Sequence, residues 1–204
     1  MDVNLHTIDL SIVNRDQKDD KPVKHAIELL KEHQVGVKCS TMTLTKSKVK
    51  EVDLKRIWKP ASAQIRHALD STSFLHPIKF KSIPQMARHW KAPVIIARHT
   101  HADVYDALDM RTTRAGTLKL NFEPSDESMG FNEVVTHFNA GGVFSATYNT
   151  DESIKSFAHA CFEFALKNKI SVTLATKPSL LKYYDGRYRD IFDQVYEDEY
   201  IDEF

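Results

Sequence analysis

Glycine is scarce in this chain: there are six in 204 residues, well under the usual share of about 7%. Only Gly141 and Gly142 are adjacent, so no G-x-G-x-x-G or Walker-type loop can be written, and a dinucleotide or ATP site of those designs is excluded. Cysteine is scarcer still. Cys39 and Cys161 cannot build a disulfide framework and read as small buried hydrophobes in a reducing, intracellular setting, mitochondrial matrix or cytoplasm alike. No apolar run approaches the roughly 20 residues of a membrane-spanning helix, so no transmembrane segment is expected. The opening Met1-Asp2-Val3-Asn4 has neither the apolar core of a secretory signal nor the Arg/Ser bias of a transit peptide. Net charge is also missing. The 28 Lys and Arg cancel the 28 Asp and Glu, leaving no global field toward nucleic acid, and no nucleic-acid partner is expected.

What remains is an ordinary globular composition, 42% hydrophobic and 27% charged, enough for one domain or two small ones. Val3 to Leu10 reads as a strand, Asn14 to Lys21 as a loop, and Pro22 as the start of a helix with Val23, Ala26, Ile27 and Leu30 on one face, capped near Asp19 or Asp20. A strand through Val35 and Val37 completes a crossover unit that would seed a parallel sheet. Ala61 to Leu69 reads as a short helix, and Val94 to Ala97 as a buried strand ending at Arg98. Leu118, Leu120 and Phe122 then alternate after Gly116, and Phe131 to Phe138 and Val143 to Tyr148 follow, an antiparallel meander of roughly three strands. Asn149 with Glu152 resembles a capping box before a helix that buries Ile154, Phe157, Ala158, Cys161 and Ala165. Ile170 to Ala175 reads as a strand, and a last helix after Gly186 carries Tyr188, Ile191, Phe192, Val195 and Tyr196. The stretch from Asp185 to Phe204 carries eight acids and two arginines.

Several side chains could carry chemistry. Arg66, Arg98 and Lys177 fall at element ends or in a short helix, where arginine's planar fork suits carboxylates and where plain surface ion pairs are the competing reading. His99, His101 and Asp103 share a face if their segment is extended, which would allow a metal, although unpatterned histidines are commoner. Lys46, Lys48, Lys50, Lys55, Arg56 and Lys59 form a basic stretch that reads as a solvated face.

The residues themselves are more specific than their periodicity. Thr176-Lys177-Pro178-Ser179 leading into Lys182-Tyr183-Tyr184-Asp185-Gly186-Arg187-Tyr188 resembles the homodimeric, eukaryotic-type NADP-dependent isocitrate dehydrogenases. Leu5-His6, Asn14-Arg15-Asp16, Val35-Gly36-Val37-Lys38-Cys39, Ile95-Ile96-Ala97-Arg98-His99, Glu123-Pro124-Ser125-Asp126 and Phe157-Ala158-His159 fall in family order and spacing. The resemblance begins inside the family's first domain and stops near its middle. It implies a partial α/β fold: residues 1–69 as a remnant of the large domain, 70–102 with 151–204 as the small domain, and 103–150 as a clasp-like antiparallel insertion for pairing subunits.

By position, the resemblance makes Thr43 a contact to substrate and nicotinamide, and Arg66 and Arg98 carboxylate-gripping arginines. It makes Tyr105 and Lys177 the acid–base pair, the lysine serving the partner subunit's site. It also replaces the metal reading of His99 and His101. Two departures stand against this. The family's substrate-binding Ser-Pro-Asn run reads Pro60-Ala61-Ser62 here, Ser62 being a shortened stand-in, and a third carboxylate-binding arginine is replaced by Leu75. The family's aspartate metal ligands and NADP-binding loop lie in the half without a counterpart. The resulting expectation is a catalytically inactive isocitrate dehydrogenase-like scaffold subunit with vestigial site residues, no metal ligand and no bound cofactor, the family using NADP with magnesium or manganese. Other protein subunits would cover residues 1–69, and a homodimer could form through 103–150. The alternatives are half of a split NADP-dependent dehydrogenase that needs a second chain, and a sensor of citrate-like acids.

Overall fold

In a computed structural model of the chain, residues 3–85, 89–126 and 128–204 are described, without the side chains at positions 46 and 47. The Lys46 side chain of the basic stretch and the first two residues therefore lie outside the described residues. Two compact units emerge, residues 107–148 and the remainder of the chain on either side of them.

The larger unit begins with helices α1 (Ile12–Gln17) and α2 (Lys21–His33). A loop was expected where α1 lies; Ser11 starts it by accepting the Asn14 amide on its side-chain oxygen at 3.4 Å. Pro22 sits in the first turn of α2, and its apolar stripe meets helix α4 (Ala61–Ala68) in a small core of Val23, Ala61 and Ile65 with Leu10, Ile27, Leu30 and Leu69 around it. Asp20 occupies the N-cap position, but its carboxylate turns to Arg15 and Gln64 instead of capping. Helix α3 (Lys46–Glu51) precedes Trp58, which is buried against Asp16.

The expected strands at Val3 to Leu10 and through Val35 and Val37 do not form, and neither does the parallel crossover unit. A strand exists only through its ladder, and among the described residues neither segment has a pairing partner; Val37 is left 98% exposed. Ile170 to Ala175 likewise stays outside any ladder, although Val172 and Leu174 alternate inward onto the core. Every ladder among the described residues is antiparallel. Strand β1 (Thr72–Leu75) pairs with β2 (Ile96–His99), so the apolar run at Val94 is a two-sided hairpin arm and not a buried central strand.

The main core joins α5 (Asp151–Asn168) to α6 (Tyr184–Val195) through Ile154, Phe157, Ala158, Cys161, Phe162, Ile191, Phe192 and Val195, as the helical spacing predicts. The α5 cap is Thr150, one residue later than expected. Its hydroxyl accepts the Ser153 amide at 3.2 Å, and Asn149 is thereby free to serve elsewhere. Tyr196–Tyr200 adds one wider turn that buries Tyr200 on this core.

Among its described residues the smaller unit has four strands rather than three. β3 (Leu108–Thr112) pairs with β6 (Gly142–Ala146), and between them in sequence β4 (Gly116–Phe122) pairs with β5 (Phe131–Phe138). β3 lies outside the three expected strands although Leu108 and Met110 alternate with Asp109 and Arg111; both apolar side chains are about half exposed, so neither face of this short run is buried. Gly130 has a steric reason to be glycine, since a Cβ there would run into the Phe122 carbonyl oxygen.

Candidate functional site

Two expected site residues come together beside the β1–β2 hairpin. Antiparallel register sets Ser73 opposite Arg98 and Thr72 opposite His99, so Arg98 points outward while His99 points to the core. The Arg98 guanidinium lies 5.0 Å from the centre of the Tyr105 ring, a cation–π contact. Tyr105 ends a short 3-10 turn, Asp103–Tyr105, that begins from Ala102, a buried residue held at φ 44. Non-glycine backbone of that kind costs on the order of 1–3 kcal/mol and persists only where its surroundings fix it. Here the Ala102 amide donates to His67 Nδ1 at 2.9 Å, and the Tyr105 amide returns to the Ala102 carbonyl at 2.9 Å. Accepting at Nδ1 leaves the His67 proton on Nε2, which faces Asp106 at 3.7 Å.

Beneath Arg98 runs a chain of hydrogen bonds. Asn149 Nδ2 donates to the Tyr188 hydroxyl at 2.5 Å, and that hydroxyl meets His99 Nδ1 at 2.9 Å. His99 Nε2 meets Ser153 Oγ at 2.8 Å, and Ser153 passes its own proton to Asp70. The directions agree only if His99 is neutral with its proton on Nε2. Burial pushes its pKa below the ordinary value of 6.5, with the Asp70 carboxylate opposing, and burial likewise lowers His67. The His99 ring stacks on Phe157 at 4.8 Å, and His101 stacks on His67 at 4.5 Å. His99 and His101 therefore anchor the hairpin.

The surface ion pairs considered for Arg66, Arg98 and Lys177 are absent: among the described residues none of the three cations pairs with a carboxylate. Arg66 is exposed near the end of α4, where its carbonyl accepts the Ser71 amide at 3.2 Å. Lys177 is exposed, its amide bound by Asp185 at 2.5 Å. Thr43 is exposed outside any helix or strand, and Ser62 is half-buried in the first turn of α4. No hydrogen bond among the described residues links these four to Arg98 or Tyr105. Cys39 is exposed, contrary to the expectation of burial, while Cys161 is buried with its thiol pKa pushed up to about 12 by burial. Sequence reading missed Asp70, Ser153, Tyr188 and the role of Asn149. No spacing marks them, since Asp70, Asn149 with Ser153, and Tyr188 come from separate stretches of the chain and meet only around His99.

Among the described residues no group of three or more His, Cys, Asp or Glu gathers to hold a metal, and the six glycines supply no phosphate loop.

A model of the isocitrate/isopropylmalate dehydrogenase family matches residues 1–202. The chain belongs to that family. It is 42% identical over 204 residues to a protein of Sus scrofa, and 41% over 206 residues to one of Saccharomyces cerevisiae, each named mitochondrial isocitrate dehydrogenase (NADP). The human protein of the same name is 41% identical over 204 residues. All of this chain is aligned, against 48%, 48% and 45% of the three relatives, so it spans about half their length. Its helices and small antiparallel sheets are a partial α/β fold of this family. The expectations of a non-enzyme and of no cofactor are corrected by these comparisons: the relatives carry the name of an enzyme, and NADP stands in that name. No helix among the described residues is long and apolar enough to cross a membrane.

Proposed function

We propose that this chain supplies one half of an isocitrate dehydrogenase-type active site, completed by a second polypeptide or by further chain. The observation that carries the reading is Arg98 lying over Tyr105, two positions that the family resemblance assigns to one site. Among the described residues Arg66, Arg98 and Lys177 have no carboxylate partner, which leaves all three open to a bound acid. Arginine binds carboxylates through two parallel N–H···O bonds, so Arg66 and Arg98 would hold and orient the acid groups of the substrate. Tyr105 would exchange a proton near the reacting carbon, and Lys177 would take or return the proton of the substrate hydroxyl, in the site of a partner subunit. Thr43 and Ser62 would add hydroxyl contacts. Hydride acceptance by NADP belongs to the part of the site that the remainder supplies.

The same reading accounts for residues 1–69. Leu5, Val35, Val37 and Met42 are exposed outside any helix or strand and, among the described residues, have no ladder partner, which suits strands added by the completing half. Residues 103–150 would form a clasp that pairs two copies, with 70–102 and 151–204 as the small domain. The mitochondrial names of the relatives favour that compartment. The test is reconstitution. This chain mixed with the remaining half should turn over a 2-hydroxy acid such as isocitrate with NADP, followed as NADPH absorbance. Turnover that survives Arg98→Ala or Lys177→Met in this chain would overturn the assignment.

A further inference from the structure

The turn that sets Tyr105 under Arg98 has a costly backbone. Ala102 and Asp103 sit at φ 44 and φ 48, a region that side chains disfavour. On one side the Thr100 amide is fixed to the Ser71 carbonyl at 3.1 Å, and on the other the Tyr105 and Asp106 amides reach the Ala102 carbonyl at 2.9 and 3.2 Å. The amide of buried Ala102 donates to His67 Nδ1 at 2.9 Å. A backbone amide can only donate, so His67 Nδ1 must offer a lone pair. His101, stacked on His67 at 4.5 Å, is the opposite case. Its Nδ1 donates to the His67 carbonyl at 3.1 Å, a bond that survives whether the His101 ring is neutral or charged. The turn is thus tied to the histidine of the pair that cannot gain a proton without losing its bond.

We propose that His67 is a positioning residue for Tyr105: its unprotonated Nδ1 clamps Ala102, and a proton arriving on that nitrogen frees the turn and withdraws Tyr105 from Arg98. The inference rests on the carboxylate-site reading above for its consequence, since it makes that site proton-gated. Burial is the largest influence on His67 and holds its pKa below the ordinary 6.5. Asp106, 3.7 Å from Nε2, opposes that shift, as does Asp70, while His101 and Lys59 reinforce it. The clamp is therefore complete above about pH 6.5 and opens as the pH falls beneath it. Once charged, His67 repels the Ala102 N–H and is drawn to Asp106, now held by Lys59 at 2.7 Å, which gives the freed turn a second arrangement.

The test is a pH series on the isotopically labelled 204-residue chain, read by magnetic resonance. Three signals are followed: the His67 ring nitrogens, the exchange protection of the Ala102 amide, and the nuclear Overhauser contact between the Tyr105 ring and the Arg98 side chain. Between about pH 7.5 and about pH 5 the native chain should lose Ala102 protection by about tenfold or more, together with the Tyr105–Arg98 contact. Both losses should track the His67 titration, while the buried Ala158 amide in α5 keeps its protection. His67→Asn places an amide oxygen where Nδ1 stands and does not titrate, so it should hold both signals at the lower pH. His67→Ala should lack both throughout. Signals that persist through the His67 titration, that vanish equally in His67→Asn, or that are lost together with Ala158 protection would overturn the inference. The two readings fail separately. If the contact follows His67 but reconstituted turnover survives Arg98→Ala, only the carboxylate site falls. If turnover needs Arg98 while the contact ignores His67, only the proton clamp falls.

Discussion

Arg15 is the residue through which the first helices hold the segment leading to α4, and its removal has a magnitude that can be worked from its contacts. The side chain is 1% exposed; Nε donates to Asp20 at 2.7 Å and a terminal nitrogen donates to the Lys59 carbonyl at 2.7 Å. Replacing it by methionine keeps much of the volume and removes both bonds. Breaking a buried pair by deleting one partner costs about 3–5 kcal/mol, because the remaining charge stays buried. Asp20 would retain the Gln64 amide at 2.8 Å, which places the expectation near the lower bound, about 3 kcal/mol. That is a large share of the roughly 5–15 kcal/mol of a typical domain. Urea unfolding of the native chain, Arg15→Met, Asp20→Asn and the double variant measures it. The double variant should recover part of the loss, since the uncompensated carboxylate is gone. A loss below about 1 kcal/mol in Arg15→Met would refute the reasoning, because it would price the pair as a surface contact.

Three further outcomes follow from the site and the core. Neutral His99 and His67 have pKa values held below 6.5 by burial, so the unfolded chain binds more protons below that value; stability should fall as pH drops from about 6.5 toward 5, and His99→Gln should flatten the fall in a pH series of thermal melts. Cys39 should react promptly with a thiol reagent in the folded chain while Cys161 reacts only on unfolding, and equal rates by mass spectrometry would contradict the packing of α5. Ile191→Ala, at a fully buried position between α5 and α6, should cost about 2–5 kcal/mol in urea unfolding, and a cost under 1 would deny the core.

Helices α2, α4, α5 and α6 and the β4–β5 hairpin were legible in the sequence because their signals are local, whereas α1, α3 and β3 were not. Pro22 with the Val23–Leu30 spacing, Ile154 to Ala165 every third or fourth residue, and the alternation of Leu118, Leu120 and Phe122 each reflect one face of one element. The strands expected at Val3, Val35 and Ile170 were not, because a strand depends on a partner elsewhere, and among the described residues those segments find none. The cap at Thr150 was misplaced by one residue because Asn149 looks equally suitable until its amide is seen on Tyr188. Arg98 and Tyr105 could be named from the resemblance, but their contact depends on Ala102 at positive φ and on His67 thirty-five positions away, which no spacing rule encodes.

The most direct test of the central claim is the rate of NADPH formation by this chain mixed with a second polypeptide that supplies the proposed other half of the site, with isocitrate as substrate. The account predicts turnover only when both halves are present, lost on Arg98→Ala or Lys177→Met in this chain while assembly persists by sedimentation. Assembled halves that do not turn over isocitrate, or that turn it over equally well without Arg98 and Lys177, would contradict it.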